Sequence, residues 1–229
     1  MNALKDLGYE IVEDIYTAAE VEEILALIDA AELENSFGVR EFLKNNPEMI
    51  DKVFNENLRK VLHRLSPDCN KSIKSIYFDK PPSANWVVNW HQDLTINLRS
   101  KKSTDGIKNW RVTNDRTVVQ PDRKLLEKIF TIRIHLDDCN KDNGALRVIE
   151  KSHKNGVVEI KEWVRSKEGK ERVCEVKKGG ILVMRPLLLH SSRRTENQKN
   201  RRIIHIEFTD AELPNGLEWK EKIEFSPFV

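Results

Sequence analysis

Phe130-Thr131-Ile132-Arg133-Ile134-His135-Leu136 is the run whose pattern decides the fold. Successive side chains of a strand point to opposite faces, so Ile132, Ile134 and Leu136 share one side and Thr131, Arg133 and His135 the other. Such a strand keeps one face in an apolar core, and its polar face can line a wet cavity inside a barrel. The run Arg202-Ile203-Ile204-His205-Ile206-Glu207-Phe208 reads the same way, with Ile204, Ile206 and Phe208 on the apolar face. Arg201, Ile203 and His205 then face the cavity, and Arg202 is expected at the surface where the strand begins.

Working outward, short β-prone runs recur at residues 73–78, 86–90, 94–98, 145–150, 172–176 and 181–184. Ahead of them, residues 8–12 read as an opening strand. Thr17 then stands as an N-cap before Val21, Ile24, Leu25 and Ile28, whose spacing predicts an amphipathic helix over 18–31. A second helical region is expected from about Arg40 to Leu65, broken near Pro47. Helices followed by many short strands predict a mainly β protein with flanking N-terminal helices, a double-stranded β-helix of the jelly-roll, cupin-like type. One domain over residues 1–229 is expected, with a helical buttress (1–70), a jelly-roll core (71–210) and a C-terminal tail (211–229). Residues 99–127 are polar and interrupt the strand series, so they are expected to form a lid-like insertion.

The 39 Lys and Arg nearly cancel the 37 Asp and Glu. That balance excludes the one-sided field of a nucleic-acid or membrane-surface protein. No apolar run reaches bilayer length and no apolar leader follows Met1, so a cytoplasmic protein without membrane contact is expected. Cys69, Cys139 and Cys174 are too few and too scattered for a disulfide framework or a four-thiolate zinc site. The sequence carries no signal for an oligomeric state.

His91-Gln92-Asp93 supplies a carboxylate and an imidazole from adjacent pleats on one face of a strand, and His190 follows downstream. Two neutral imidazoles and one carboxylate occupy one face of an octahedron and leave positions open, as in non-haem Fe(II) oxygenases. His135-Leu136-Asp137 is a rival pair. Several strands are needed to turn the chain between the first two ligands and the third, and only the first pair leaves room for them before His190. His135 remains open to two readings, a hydrogen-bonded structural histidine or a group in the site.

The chain resembles the phytanoyl-CoA dioxygenase family of Fe(II)- and 2-oxoglutarate-dependent oxygenases, especially its small bacterial members. The resemblance runs through Gly8 to Val12, Phe78-Asp79-Lys80, Asn85-Trp86, Trp90 to Asp93, Leu136 to Cys139, Asn143 to Leu146, Ser152-His153-Lys154, Gly179-Gly180 and Arg185 to Ser192. It implies that His91, Asp93 and His190 hold iron and are the catalytic residues. It also implies that Arg201 binds the distal carboxylate of 2-oxoglutarate with Ser192 beside it. Arg133 and Arg40 fall at further positions expected to touch the cosubstrate, and His153 at a structural turn. The implied reaction consumes O2, releases succinate and CO2, and hydroxylates a small molecule; Asp93 fills the position that related halogenases leave free for chloride. Trp86, Trp110 and Gln120 are expected to shape the substrate pocket. Two other readings use the same ligands, a jelly-roll metal or metabolite binder without turnover and a metal-dependent isomerase or hydrolase. Arg201 separates them, because neither needs it.

Overall fold

The computed structural model describes residues 3–33, 37–80, 87–102, 104–113, 116–166, 169–197 and 199–225. Trp86, Pro227 and Phe228 lie outside them. The Ala18–Ala30 helix starts where its sequence says it should. The Thr17 hydroxyl accepts from Glu20 N at 3.2 Å and the Glu20 carboxylate accepts from Thr17 N at 2.8 Å, a reciprocal capping box. Val21, Ile24, Leu25 and Ile28 are buried as one stripe. Asn55 caps Glu56–Leu65 by accepting from Leu58 N at 2.9 Å.

Two antiparallel sheets frame a cavity. The larger runs in the spatial order Tyr9–Val12, Ile181–Met184, Ile129–His135, Arg201–Thr209, Lys71–Lys80, Ile223–Glu224, with Val39–Arg40 also paired to Lys71–Lys80. The smaller runs Glu171–Cys174, Leu146–Ile149, His190–Ser192, Val88–His91. Side-chain parity divides the larger sheet as its sequence predicts. Ile132, Ile134, Leu136, Ile204, Ile206 and Phe208 belong to the main apolar core together with the helical residues Val21, Ile24, Phe42, Leu58 and Leu62. The opposite face, with Arg133, Arg201, Ile203 and His205, lines a cavity whose other wall is Val88, His91, Leu146, His190 and Ser192 of the smaller sheet. Two facing sheets around a wet interior make the jelly roll.

Three elements differ from the sequence reading. The insertion expected at 99–127 to be lid-like holds the strands Ile107–Val112 and Thr117–Pro121, which form a third sheet with Ile96–Leu98, and a short helix at Arg123–Glu127. Val119, Leu98 and Ile96 pack with Ile73, Ile129, Leu217 and Trp219 in a second apolar cluster. Among the described residues, none of those lining the cavity comes from 99–127, and Gln120 instead accepts from Asn109 Nδ2 at 2.7 Å. The helical region begins later than Arg40, because Val39–Arg40 pairs as a strand and Glu41 turns the chain at φ 51° before Phe42–Asn45. Finally, His190–Ser192 is a strand that the sequence reading did not single out.

Candidate metal centre

His91 ends its strand and His190 begins the neighbouring one, and the two stand directly opposite each other in the ladder. Their rings lie 4.0 Å apart, centroid to centroid. Each ring is fixed by the same device. His91 Nδ1 lies 2.8 Å from Asn89 O and His190 Nδ1 lies 2.9 Å from Leu188 O. A carbonyl only accepts, so each Nδ1 carries the proton and each Nε2 keeps its lone pair. Those Nε2 atoms reach Asp93, at 3.8 Å from His91 to Oδ1 and 3.6 Å from His190 to Oδ2.

One ligand atom from each of His91, Asp93 and His190 falls within 4.8 Å of the others. Burial pushes His190 down to about 4, so its imidazole is neutral at physiological pH. Burial would raise the Asp93 carboxyl, but the nearby His190, His205 and His91 imidazoles and Lys74 hold it at about 2. Asp93 Oδ2 is buried and has no hydrogen-bond partner among the described residues. An orphaned carboxylate oxygen facing two imidazole lone pairs is the donor set of a divalent cation, and the three residues fit one.

The loop before His190 sets this geometry with consecutive carbonyls. Pro186 O accepts from Asp93 N at 2.8 Å, Leu187 O accepts from Gln92 Nε2 at 2.6 Å and Leu188 O holds His190. Gln92, between the two ligands, points to the far side of the strand. There it also donates to Gly156 O at 2.7 Å and accepts from Val158 N at 3.0 Å. It is buried and satisfied at both ends of its amide, and it ties three segments together.

On the larger sheet the cavity floor is a ladder of four rungs. Arg201 stands opposite Lys80, Ile203 opposite Phe78, His205 opposite Ile76 and Glu207 opposite Lys74, and all eight line the cavity. From Arg201 to Glu207 the floor runs about 20 Å at the usual rise of a strand. The first rung is cationic. Arg201 is buried, with Nη1 donating to Gly144 O at 2.6 Å and Nε without a hydrogen-bond partner among the described residues. Burial, and then the charges of Arg201 and Arg133, push Lys80 down to about 7. Burial and Arg201 likewise bring Arg133 to about 10. The fourth rung is an ion pair, Lys74 to Glu207 at 2.6 Å. Between them Arg133 Nη1 lies 3.1 Å from His205 Nδ1. A guanidinium only donates, so His205 keeps its proton on Nε2, which faces Glu207 at 3.5 Å.

The residues singled out in the sequence therefore separate as follows. His91, Asp93, His190, Ser192, Arg133, Arg201 and Arg40 all border one cavity of about 290 Å³. Arg40 stands on the rung of Ile76 and His205, two rungs from Arg201. The rival pair is accounted for otherwise. Asp137 takes a fork from Arg202, with Nε to Oδ2 at 2.9 Å and Nη2 to Oδ1 at 2.7 Å. Arg202 is thus half-buried in an ion pair rather than a free surface residue. His135 is buried without lining the cavity, and neither of its ring nitrogens has a hydrogen-bond partner among the described residues. Sequence reasoning missed Lys80, Lys74, Glu207 and Gln92. The first three were reachable, since the same parity that turns Arg201 and His205 inward also turns Glu207 inward and aligns Lys74 with Lys80.

The family model described as phytanoyl-CoA dioxygenase matches residues 4–203. The chain belongs to the phytanoyl-CoA dioxygenase family. Solved structures agree on the fold across low identity. The chain is similar to SnoK, a non-heme alpha ketoglutarate dependent carbocyclase from nogalamycin biosynthesis, with 14% identity, a TM-score of 0.69 and coverage of 91% of this chain and 82% of that one. It is also similar to EctD from S. alaskensis solved with 2-oxoglutarate and 5-hydroxyectoine, with 18% identity, a TM-score of 0.65 and coverage of 90% and 73%. HygX from Streptomyces hygroscopicus, solved with nickel and 2-oxoglutarate bound, gives 13% identity, a TM-score of 0.64 and coverage of 90% and 84%. No curated protein sequence matches the chain. Among the described residues, no helix of this family member is long and apolar enough to cross a membrane.

Proposed function

We propose that the protein is an Fe(II)- and 2-oxoglutarate-dependent dioxygenase that hydroxylates a small molecule. The observation that carries this reading is the pairing, in one cavity, of an imidazole–carboxylate–imidazole cluster with a cationic rung formed by Arg201 and Lys80. A metal sensor or a hydrolase has use for the first and none for the second. The solved structures of EctD and HygX with 2-oxoglutarate support the same cosubstrate here.

His91, Asp93 and His190 would hold the iron, and Arg201, with Ser192 and Arg133, would hold 2-oxoglutarate. When bound, these groups supply the oxidising chemistry, in which O2 and 2-oxoglutarate give succinate and CO2 and the substrate gains a hydroxyl group. The chain's own contribution is position and charge. Nδ1–H donation to Asn89 O and Leu188 O keeps both imidazoles turned with their lone pairs toward Asp93. Arg201 presents a planar fork whose Nε is unsatisfied, a geometry suited to a carboxylate. Arg133, steadied by His205 two rungs along, adds a second guanidinium to the same cavity. Burial of His190 keeps it an unprotonated ligand at neutral pH.

The test is binding. Anaerobic protein loaded with Fe(II) is titrated with 2-oxoglutarate by calorimetry. Tight binding that needs the metal and drops when Arg201 is replaced supports the reading; metal binding with no affinity for 2-oxoglutarate would instead favour a bare metal site.

A further inference from the structure

A second cavity, of about 430 Å³, shares no lining residue with the first. One wall is Arg185, Pro186 and Leu187, the loop whose carbonyls hold Asp93 and Gln92. Lys154 of the Ser152–Asn155 turn and the Arg123–Glu127 helix complete it. Its charges do not cancel. Arg123 and Glu127 neutralise each other, Nε to Oε1 at 2.6 Å. The half-buried Arg185 has no carboxylate within ion-pair distance among the described residues, and its Nη1 donates to a backbone carbonyl, Glu127 O, at 3.2 Å. Lys154 lends its own carbonyl to Arg123 Nη2 at 3.3 Å, but its ammonium enters no ion pair among the described residues. His153, pushed down by burial, is neutral. Lys5 also borders the cavity. Without counting it, Arg185 and Lys154 are left over.

Arg185 carries the inference. A guanidinium taken partly out of water with only a carbonyl for company still bears much of its desolvation cost, and a bound anion relieves it. Burial already lowers its pKa, with Glu127 opposing. An exposed lysine in the same half-enclosed site adds to the attraction. The three terminal oxygens of a phosphate can accept from a guanidinium and from an ammonium at once. Leu126, Pro186 and Leu187 supply an apolar side, and the volume takes an organic group as well as the anion. The position gives such a ligand a hold on the other cavity. Gln92 joins Leu187 O to Gly156 O, tying the loop to the end of the turn, and Ser152 Oγ accepts from Leu189 N at 2.8 Å, just before His190. An anion spanning Arg185 and Lys154 would tie the same two segments a second time.

We propose that this cavity is a second binding site, for a phosphate-bearing small molecule held between Arg185 and Lys154, and that its occupation tightens metal binding at His91, Asp93 and His190. The site itself is independent of the reaction catalysed. The coupling rests on those three residues holding a metal, as in the dioxygenase reading, and by linkage it is reciprocal: the metal must tighten the phosphate by the same factor.

The test uses the full chain loaded with Ni(II) and 2-oxoglutarate, titrated by calorimetry with phenyl phosphate, benzoate and phenol at constant ionic strength. Phenyl phosphate is expected to bind about tenfold tighter than phenol, and Arg185→Gln and Lys154→Gln each to weaken it about tenfold, while Arg201→Ala leaves it unchanged. Lys154 is exposed, so its variant keeps the test sound if Arg185→Gln fails to fold. Ni(II) affinity, read by competition with a chelator, is expected to rise about fivefold with saturating phenyl phosphate and to lose that gain in Lys154→Gln. No binding of phenyl phosphate at millimolar concentration, equal binding of phenol, tighter binding of benzoate, or binding that survives Lys154→Gln and fails in Arg201→Ala would overturn the site. Phosphate binding with no change in Ni(II) affinity would overturn the coupling. If Ni(II) does not bind at all, the metal reading falls and takes the coupling with it, and the same phosphate titration of the metal-free chain decides the site.

Discussion

Arg201 and Arg202 are adjacent in sequence and opposite in consequence, because one residue of strand parity separates a cavity from an ion pair. Arg201→Ala is expected to weaken 2-oxoglutarate binding by about ten- to a hundredfold, the usual worth of a charge-assisted pair, and to leave iron binding intact. Arg202→Ala leaves Asp137 without its fork and is expected to cost about 1 kcal/mol of stability, a modest figure because the pair is partly exposed. Calorimetric titration and denaturant unfolding separate the two effects; loss of 2-oxoglutarate binding in Arg202→Ala would reverse the parity. Lys80 gives a pH signature. Its folded pKa is held at about 7 by burial, Arg201 and Arg133, against 10.5 ordinarily. Between those values the unfolded chain holds a proton that native Lys80 has released, so the stability of the metal-free protein should rise with pH across the window. Below about 7 the penalty is complete. A bound dicarboxylate favours the charged lysine, so 2-oxoglutarate affinity should fall as pH rises through the same range, and Lys80→Met should flatten both profiles. A melting series and titrations from pH 6.5 to 9.5 check this, and an unchanged slope in the variant would exclude Lys80 as the source. At this scale the His91, Asp93 and His190 cluster was legible because the side chains that can ligate a metal are of few residue types. Lys80 and Glu207 were passed over because a lysine or glutamate on a strand reads as a solvated side chain until its partners across the sheet are known.

The element that binds the site together is the loop from Arg185 to Leu189, through its backbone carbonyls and Gln92. Gln92→Leu keeps the volume but strips Gly156 O, Leu187 O and Val158 N of their partner. It is expected to cost about 2–4 kcal/mol, from several buried groups left unpaired, and to lower iron affinity about tenfold through misplaced ligands. Denaturant unfolding and metal titration would show both, and an unchanged iron affinity would mean that the ligands hold their geometry without this brace. Strands with one apolar face, such as Ile129–His135 and Arg201–Thr209, were readable from alternation. Others were not, each for a physical reason. In Ile107–Val112 the ladder shifts register between Lys108 and Arg111, and Asn109 has φ 54°. The bulge breaks the period of two. His190–Ser192 is buried on both faces, so no alternation exists to be read. Val39–Arg40 is two residues long and paired at an edge, which is below any periodicity.

For the molecule as a whole, helices cover the outer face of one sheet while its inner face and a smaller sheet enclose His91, Asp93, His190 and the cationic rung. That division was legible in the sequence because binary patterning fixes which face of each strand meets apolar partners. Which polar side chains meet across the cavity floor was not, because that is set by register between strands far apart in sequence. Function belongs to the site rather than to the fold. The most direct test is therefore of the chemistry. Protein loaded anaerobically with Fe(II) and 2-oxoglutarate is exposed to air, and succinate is measured in the wild type and in His91→Ala, Asp93→Ala and His190→Ala. Succinate from the wild type, with its loss in all three variants, is the predicted result; an iron-loaded wild-type protein that forms no succinate across a broad substrate panel and has no affinity for 2-oxoglutarate would contradict it.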